Sequence, residues 1–112
     1  MEPVAGVGPE EAARRVEEGA LLLDVREPDE WEAGHAPAAV HVPLAALAAR
    51  AGELDRDRPV VAVCRSGARS ERAAAFLRQQ GHDAVNLDGG MQAWSASGLP
   101  VVTDQDEAGQ VI

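Results

Sequence analysis

The sequence predicts an α/β fold: a doubly wound parallel sheet with helices on both faces. Three observations carry that expectation. Short apolar runs of strand length alternate with helix-like runs along the whole chain. The most strand-like run, PVVAV at 59–63, is apolar at every position, as in a strand covered on both faces. Proline and glycine sit at the starts and stops of the helix-like runs. With 112 residues and neither an internal repeat nor a dividing linker, the chain reads as one domain over 1–103. The polar, acidic segment 104–112 reads as a tail free to be loose.

PEEAARRVEEG at 9–19 is expected as an amphipathic helix. Pro9 suits a first helical position, Ala12, Ala13 and Val16 share a face, and Gly19 is placed to end it. ALLLDV at 20–25 is a buried-strand run that closes on an acid. PDEWEAG at 28–34 reads as a short helix, with Pro28 and two acids in its first turn and Gly34 at its end. AVHV at 39–42 is a short strand stopped by Pro43, and the alanine- and leucine-rich stretch 44–54 is expected to be helical. After the strand at 59–63, SERAAAFLRQQG at 70–81 gives a helix from Ser70 to Gly81. AVNLDGG at 84–90 is a last strand running into a turn, and MQAWSASG at 91–98 a short helix. Ligands of such sheets gather at the carboxyl ends of the strands.

Composition narrows the function. The net charge is −9 and all 10 basic residues are arginines. So acidic a chain repels phosphate backbones, which argues against nucleic acid as a partner. No run approaches the roughly 20 apolar residues of a membrane span, and the acidic N-terminal stretch lacks the features of a signal peptide. A cytoplasmic location is expected. The one cysteine, Cys64, has no intramolecular disulfide partner and is too little for a cysteine-based metal site.

Cys64 stands at the end of the 59–63 strand, and Arg65, Ser66, Gly67, Ala68 and Arg69 follow it. A tight glycine-containing turn before a helix can point successive N–H groups inward as a nest. The helix N-terminus adds its own N–H groups and partial positive charge. The two arginines add full charges. A thiol held there ionises more readily, and the thiolate is the nucleophile. The same cradle would hold a small oxyanion or a negatively charged sulfur intermediate. Tyrosine-phosphatase and low-molecular-weight arsenate-reductase loops place five residues between cysteine and arginine. Here Cys64 and Arg69 have four between them, and Ser70 stands where that arginine would fall. The shorter loop fits a single extra sulfur atom better than a tetrahedral phosphate.

Three segments together resemble the rhodanese family of sulfurtransferases. LLLDVREPDEWEAGHAPAAVHVP at 21–43 is similar to the family's N-terminal signature, VVAVCRSGARS at 60–70 to its active-site loop, and AVNLDGGMQAWSASGLPV at 84–101 to its C-terminal signature. They span nearly the whole chain in the expected order. The resemblance implies a single domain with a five-stranded parallel core. It implies a ping-pong reaction without metal or organic cofactor. Cys64 takes the outer sulfur of a donor such as thiosulfate, carries it as a persulfide, and yields it to cyanide or a thiol. It further implies that residues 65–69 surround the persulfide, with Arg65 and Arg69 binding the donor's sulfonate end. Asp24 and Arg26 would hold loops as a supporting pair, with Ser70 at the loop's far end. The chain departs from the family's Gly-His-Ile-Pro-Gly-Ala segment, which stands here as Gly34-His35-Ala36-Pro37-Ala38-Ala39.

Other residues have plainer readings. His35 is expected to fix a loop, His41 to face out from its strand, and His82 to be solvated. Trp31 and Trp94 are expected to pack. A metal held by His35 and His41 would need ligands that the sequence does not cluster. The rival functions are protein-to-protein sulfur relay or a binding module, and a cysteine phosphatase or arsenate reductase. A protein sulfur donor or acceptor is compatible with the loop, and mercaptopyruvate is an alternative small donor.

Overall fold

The computed structural model describes residues 3–112. Five strands form one all-parallel sheet in the order β1-β5-β4-β2-β3. They are β1 (Gly6–Val7), β2 (Leu21–Asp24), β3 (Val40–His41), β4 (Val60–Val63) and β5 (Ala84–Leu87). The helices are α1 (Pro9–Glu17), α2 (Pro28–Ala33), α3 (Leu44–Arg50), α4 (Ala68–Gln79) and α5 (Gly90–Ala96). A 3-10 turn at Ala51–Glu53 takes up the end of the stretch expected as one helix over 44–54. β1 is an addition: two residues bonded to the β5 edge are too short to show a sequence pattern.

The central strands are buried at every position, as their continuous apolarity requires. Their side chains still alternate between two cores. Leu21, Leu23, Val60, Ala62 and Cys64 point to the face covered by α3 and α4. Leu22, Val61, Val63, Val85 and Leu87 point to the face covered by α1 and α5, where Met91 and Trp94 are buried. The register pairs Asp24 with Val63 and Ala62 with Asn86, so β2 and β5 flank the strand that delivers Cys64.

The chain beyond residue 103 does not hang free, in contrast to the loose tail expected. Val102 makes antiparallel bridges with His35 and with Ala108. The Gln110 N–H donates to the Ala33 carbonyl at 2.8 Å, and Val111 packs on the α1/α5 core. The acidic composition of 104–112 hides this, because the backbone rather than the side chains makes most of the bonds.

An apolar cavity of about 210 Å³ lies beside α1 and α5, with Val16, Leu22, Ala36, Trp94 and Leu99 in its lining. Ala36 is where the family pattern has isoleucine. Ala36→Val is expected to raise stability by about 1 kcal/mol, from about 0.8 kcal/mol for each buried carbon less the strain of repacking. A higher midpoint in urea unfolding checks this.

Candidate active site

The site is the turn joining β4 to α4. Helix α4 begins at Ala68, two residues before the expected start at Ser70, and its N-cap Gly67 has φ +114°. That left-handed conformation, which strains any side chain, turns the chain sharply enough to bring the start of α4 under Cys64. The Gly67 N–H donates to Cys64 Sγ at 3.1 Å, and the Ser70 hydroxyl lies 3.2 Å from the same sulfur. Burial, the largest single effect, disfavours the thiolate. It is outweighed by the Ser70 hydroxyl and by the backbone N–H groups of Ser70, Gly67 and Ser66. The Cys64 thiol is therefore held below its ordinary value.

The carbonyls of this turn are held from the opposite side. The Met91 N–H donates to the Cys64 carbonyl at 2.7 Å and the Gln92 N–H to the Arg65 carbonyl at 3.0 Å. Both donors belong to the first turn of α5, whose N–H groups have no partner within their own helix. Gly90 makes the approach possible. A Cβ there would lie 2.4 Å from the Cys64 carbonyl oxygen and 2.5 Å from the Arg65 carbonyl, and its φ is +59°. Sequence reading placed Gly89 and Gly90 in a turn but did not connect them to the cysteine.

The predicted site residues fall into distinct places. Cys64, Gly67 and Ser70 are buried together, with Cys64 only 1% exposed. Arg65, Ser66 and Ala68 are exposed around the turn. The Arg65 Nε donates to the Ile112 carbonyl at 2.9 Å, and Arg65 has no acidic partner among the described residues. Arg69 is committed elsewhere. Its two terminal nitrogens meet the Glu30 carboxylate at 2.6 and 2.9 Å. Asp24 and Arg26 form a fully buried bidentate pair, and Arg26 Nη2 also donates to the Gly34 carbonyl at 2.8 Å.

A family model for the Rhodanese-like domain matches residues 8–97. The chain belongs to the rhodanese-like domain family. A protein named Sulfurtransferase from Allochromatium vinosum is 46% identical over 89 residues, which cover 79% of this chain and 83% of that protein. A Thiosulfate sulfurtransferase GlpE from Pseudomonas syringae pv. syringae is 42% identical over 89 residues, covering 79% of this chain and 84% of that protein. The crystal structure of a rhodanese-related protein from Thermoplasma volcanium superposes with a TM-score of 0.84 at 31% identity, over 89% of this chain and 99% of the other. The five-stranded sheet is thus a rhodanese sheet.

In this rhodanese domain Trp31 and Trp94 pack as expected, while two of the histidines depart from their plain readings. His41 does not simply face out. It stacks on Trp31 at 4.8 Å between ring centroids, and its Nε2 lies 2.7 Å from the Arg26 carbonyl. His35 stacks on the same Trp31 at 3.6 Å and bridges to Asp104 at 2.8 Å. His82 is buried rather than solvated, because the backbone after α4 turns back into the protein through the His82 N–H to Leu77 carbonyl bond. The residue that sequence reading missed is Asn86 of β5, only 3% exposed and hydrogen-bonded to both Ser70 and Gly67. A polar residue inside the apolar run AVNL was the available signal.

Two outcomes are expected. Gly90→Ala should destabilise the fold by about 1–3 kcal/mol through its strained backbone alone, and should slow alkylation of Cys64 by iodoacetamide as the turn moves. Urea unfolding and alkylation rates read the two effects. Arg69 draws Glu30 from its ordinary 4.5 down to about 2. A depressed carboxylate contributes stability that is complete above its unfolded value and is lost as pH falls through its folded value. The stability deficit of Glu30→Gln relative to the parent should therefore be constant above pH 4.5 and close between 4.5 and about 2. Urea midpoints across that range measure it.

Proposed function

We propose that this rhodanese domain is a thiosulfate-type sulfurtransferase with Cys64 as nucleophile and sulfur carrier. The observation that carries the reading is the convergence of the Gly67 N–H and the Ser70 hydroxyl on Cys64 Sγ, which holds the thiol below its ordinary value. The name of the Pseudomonas syringae relative, a thiosulfate sulfurtransferase, supports the choice of donor.

In the first half-reaction the Cys64 thiolate attacks the outer sulfur of thiosulfate. A bond forms between Cys64 Sγ and that sulfur, the donor's own S–S bond breaks, and sulfite leaves with the electron pair. The negative charge then rests on the outer sulfur of the persulfide. N–H groups of the 65–69 turn stabilise it as oxyanion donors stabilise developing charge. In the second half-reaction cyanide or an external thiolate attacks the outer sulfur, and Cys64 departs as a thiolate. Arg65 binds the donor's sulfonate, since Arg69 already holds Glu30. Ser66 and Ala68 present backbone at the mouth. The Asp24–Arg26 pair holds the neighbouring loop through the Gly34 carbonyl. Cys64 is almost wholly covered, which favours a slender donor whose transferable sulfur is terminal. The reaction as written needs no metal or organic cofactor and suits a cytoplasmic protein.

Intact-mass measurement after incubation with thiosulfate tests this. The parent is expected to gain one sulfur atom, lose it to cyanide, and gain none as Cys64→Ala. A folded parent that never gains the mass from thiosulfate would overturn the donor assignment. Gain of sulfur only from a persulfide-bearing protein would replace it with sulfur relay.

A further inference from the structure

We infer that Asn86 is a positioning residue that sets where the Ser70 hydroxyl hydrogen points, and through it how readily Cys64 ionises. The inference deepens the reading of Cys64 as the reactive thiol and rests on it.

Ser70 is completely buried and has one hydrogen to donate. Three acceptors surround its oxygen: Asn86 Oδ1 at 2.6 Å, Cys64 Sγ at 3.2 Å and the Gly67 carbonyl at 3.3 Å. The orientation of the Asn86 amide follows from its other contacts. Its Nδ2 faces two acceptors, the Gly67 carbonyl at 3.1 Å and Asp88 Oδ1 at 3.4 Å, so the oxygen faces Ser70. The amide oxygen of Asn86 is a strong acceptor at 2.6 Å, whereas a neutral thiol sulfur is a weak one, its 3.2 Å contact being ordinary for so large an atom. While Cys64 carries its proton, the Ser70 hydrogen belongs to Asn86, and the Ser70 oxygen is free to accept from the thiol.

Ionisation changes the balance. A thiolate is a charged acceptor, and hydrogen bonds to charged groups are about twice as strong as neutral ones. The hydroxyl then turns to the sulfur and gives up its bond to Asn86. That forfeited bond is a cost of forming the thiolate. When Sγ is bonded to a second sulfur, the charge sits one atom further out, and the hydroxyl returns to Asn86. No proton leaves Ser70 at any stage; only the O–H bond rotates. Asn86 thereby keeps the thiolate from being over-stabilised, which matters because thiolate nucleophilicity falls as the thiol becomes more acidic. The Gly67 carbonyl does not need Asn86 for satisfaction, since the Glu71 N–H also donates to it at 3.1 Å.

Other charges around the sulfur stay the same in the variants below. They are Arg65 of the turn, Arg69 of α4 with Glu30 of α2 behind it, the pair of Asp24 at the end of β2 with Arg26 beyond it, and Asp88, which keeps its charge but loses its contact with Nδ2 in the Asn86 variants.

The test is the pH dependence of Cys64 alkylation by iodoacetamide, which reads the thiolate whether or not sulfur is transferred. Ser70→Ala is expected to raise the alkylation midpoint by about one pH unit, a tenfold loss of thiolate. Asn86→Leu, close to isosteric but without the acceptor, is expected to lower it by about half a unit, roughly threefold more thiolate. The double variant should match Ser70→Ala, because Asn86 acts only through Ser70. Asn86→Ala gives the same comparison should the leucine variant fail to fold. A midpoint that rises or stays put in a folded Asn86 variant would overturn the inference. So would additive shifts in the double variant, which would mean that Asn86 acts on the sulfur by another route. Either result leaves the thiosulfate assignment standing, since that is read by mass.

Discussion

Each peptide group has two ends, and the site depends on where both of them go. For N–H groups to converge on Cys64 Sγ, the carbonyls of the same turn must face away and still find donors, because unpaired buried carbonyls are costly. The first turn of α5 supplies those donors to Cys64 and Arg65. Helix α5 is in turn pinned by Met91 and Trp94, both buried in the core shared with α1, and by the Trp94 indole N–H to the Pro100 carbonyl at 2.8 Å. The turn at Cys64 is therefore not a local motif. It is the meeting of two helix N-termini, one below the sulfur and one behind its backbone, and a glycine without a Cβ at residue 90 lets them meet.

Electrostatics follow the same economy. The chain carries nine net negative charges, yet the turn around Cys64 holds its thiol below the ordinary value. Most of the cations nearby are neutralised: Arg26 is buried against Asp24, and Arg69 is paired with Glu30. Such pairs add little net charge, but breaking the fully buried Asp24–Arg26 pair would strand the other partner. Glu30 also accepts from the Glu27 N–H at 3.1 Å and so closes the capping box of α2. One carboxylate thus joins the start of α2 to the first turn of α4. What lowers the Cys64 thiol is chiefly the Ser70 hydroxyl and the fixed N–H groups of the turn, which act at short range.

Much of this was legible in the sequence, and the reasons are specific. The runs 20–25 and 59–63 announce buried parallel strands because they are apolar at every position. Cys64 announces itself because a lone thiol at such a strand's end is followed by glycine and two arginines. Three things were not legible. The partner of Arg69 was hidden because Glu30 lies 39 residues away on a helix whose acids all look solvated. The docking of the tail was hidden because backbone groups make it, through bonds such as Gln110 to Ala33. The role of Gly90 was hidden because a close backbone approach leaves no mark except the absence of a side chain. Asn86 stood in plain view as the one polar residue of β5, but only three-dimensional neighbours reveal that it faces Ser70 rather than a ligand.

The single cysteine sets the last condition on the chemistry. In the proposed cycle this chain offers no second thiol to take a sulfur from Cys64, so the outer sulfur would leave on a nucleophile that arrives from outside. In that proposed cycle the cradle faces opposite demands in its two halves. It must lower the thiol enough to attack, yet leave the returning thiolate nucleophilic enough to attack again. A cradle of backbone N–H groups alone cannot adjust between those states, because its donors are fixed. A hydroxyl with two competing acceptors can, since it follows the charge without moving a heavy atom. In this sheet the place for that second acceptor is β5, the strand beside β4, and the residue there is Asn86.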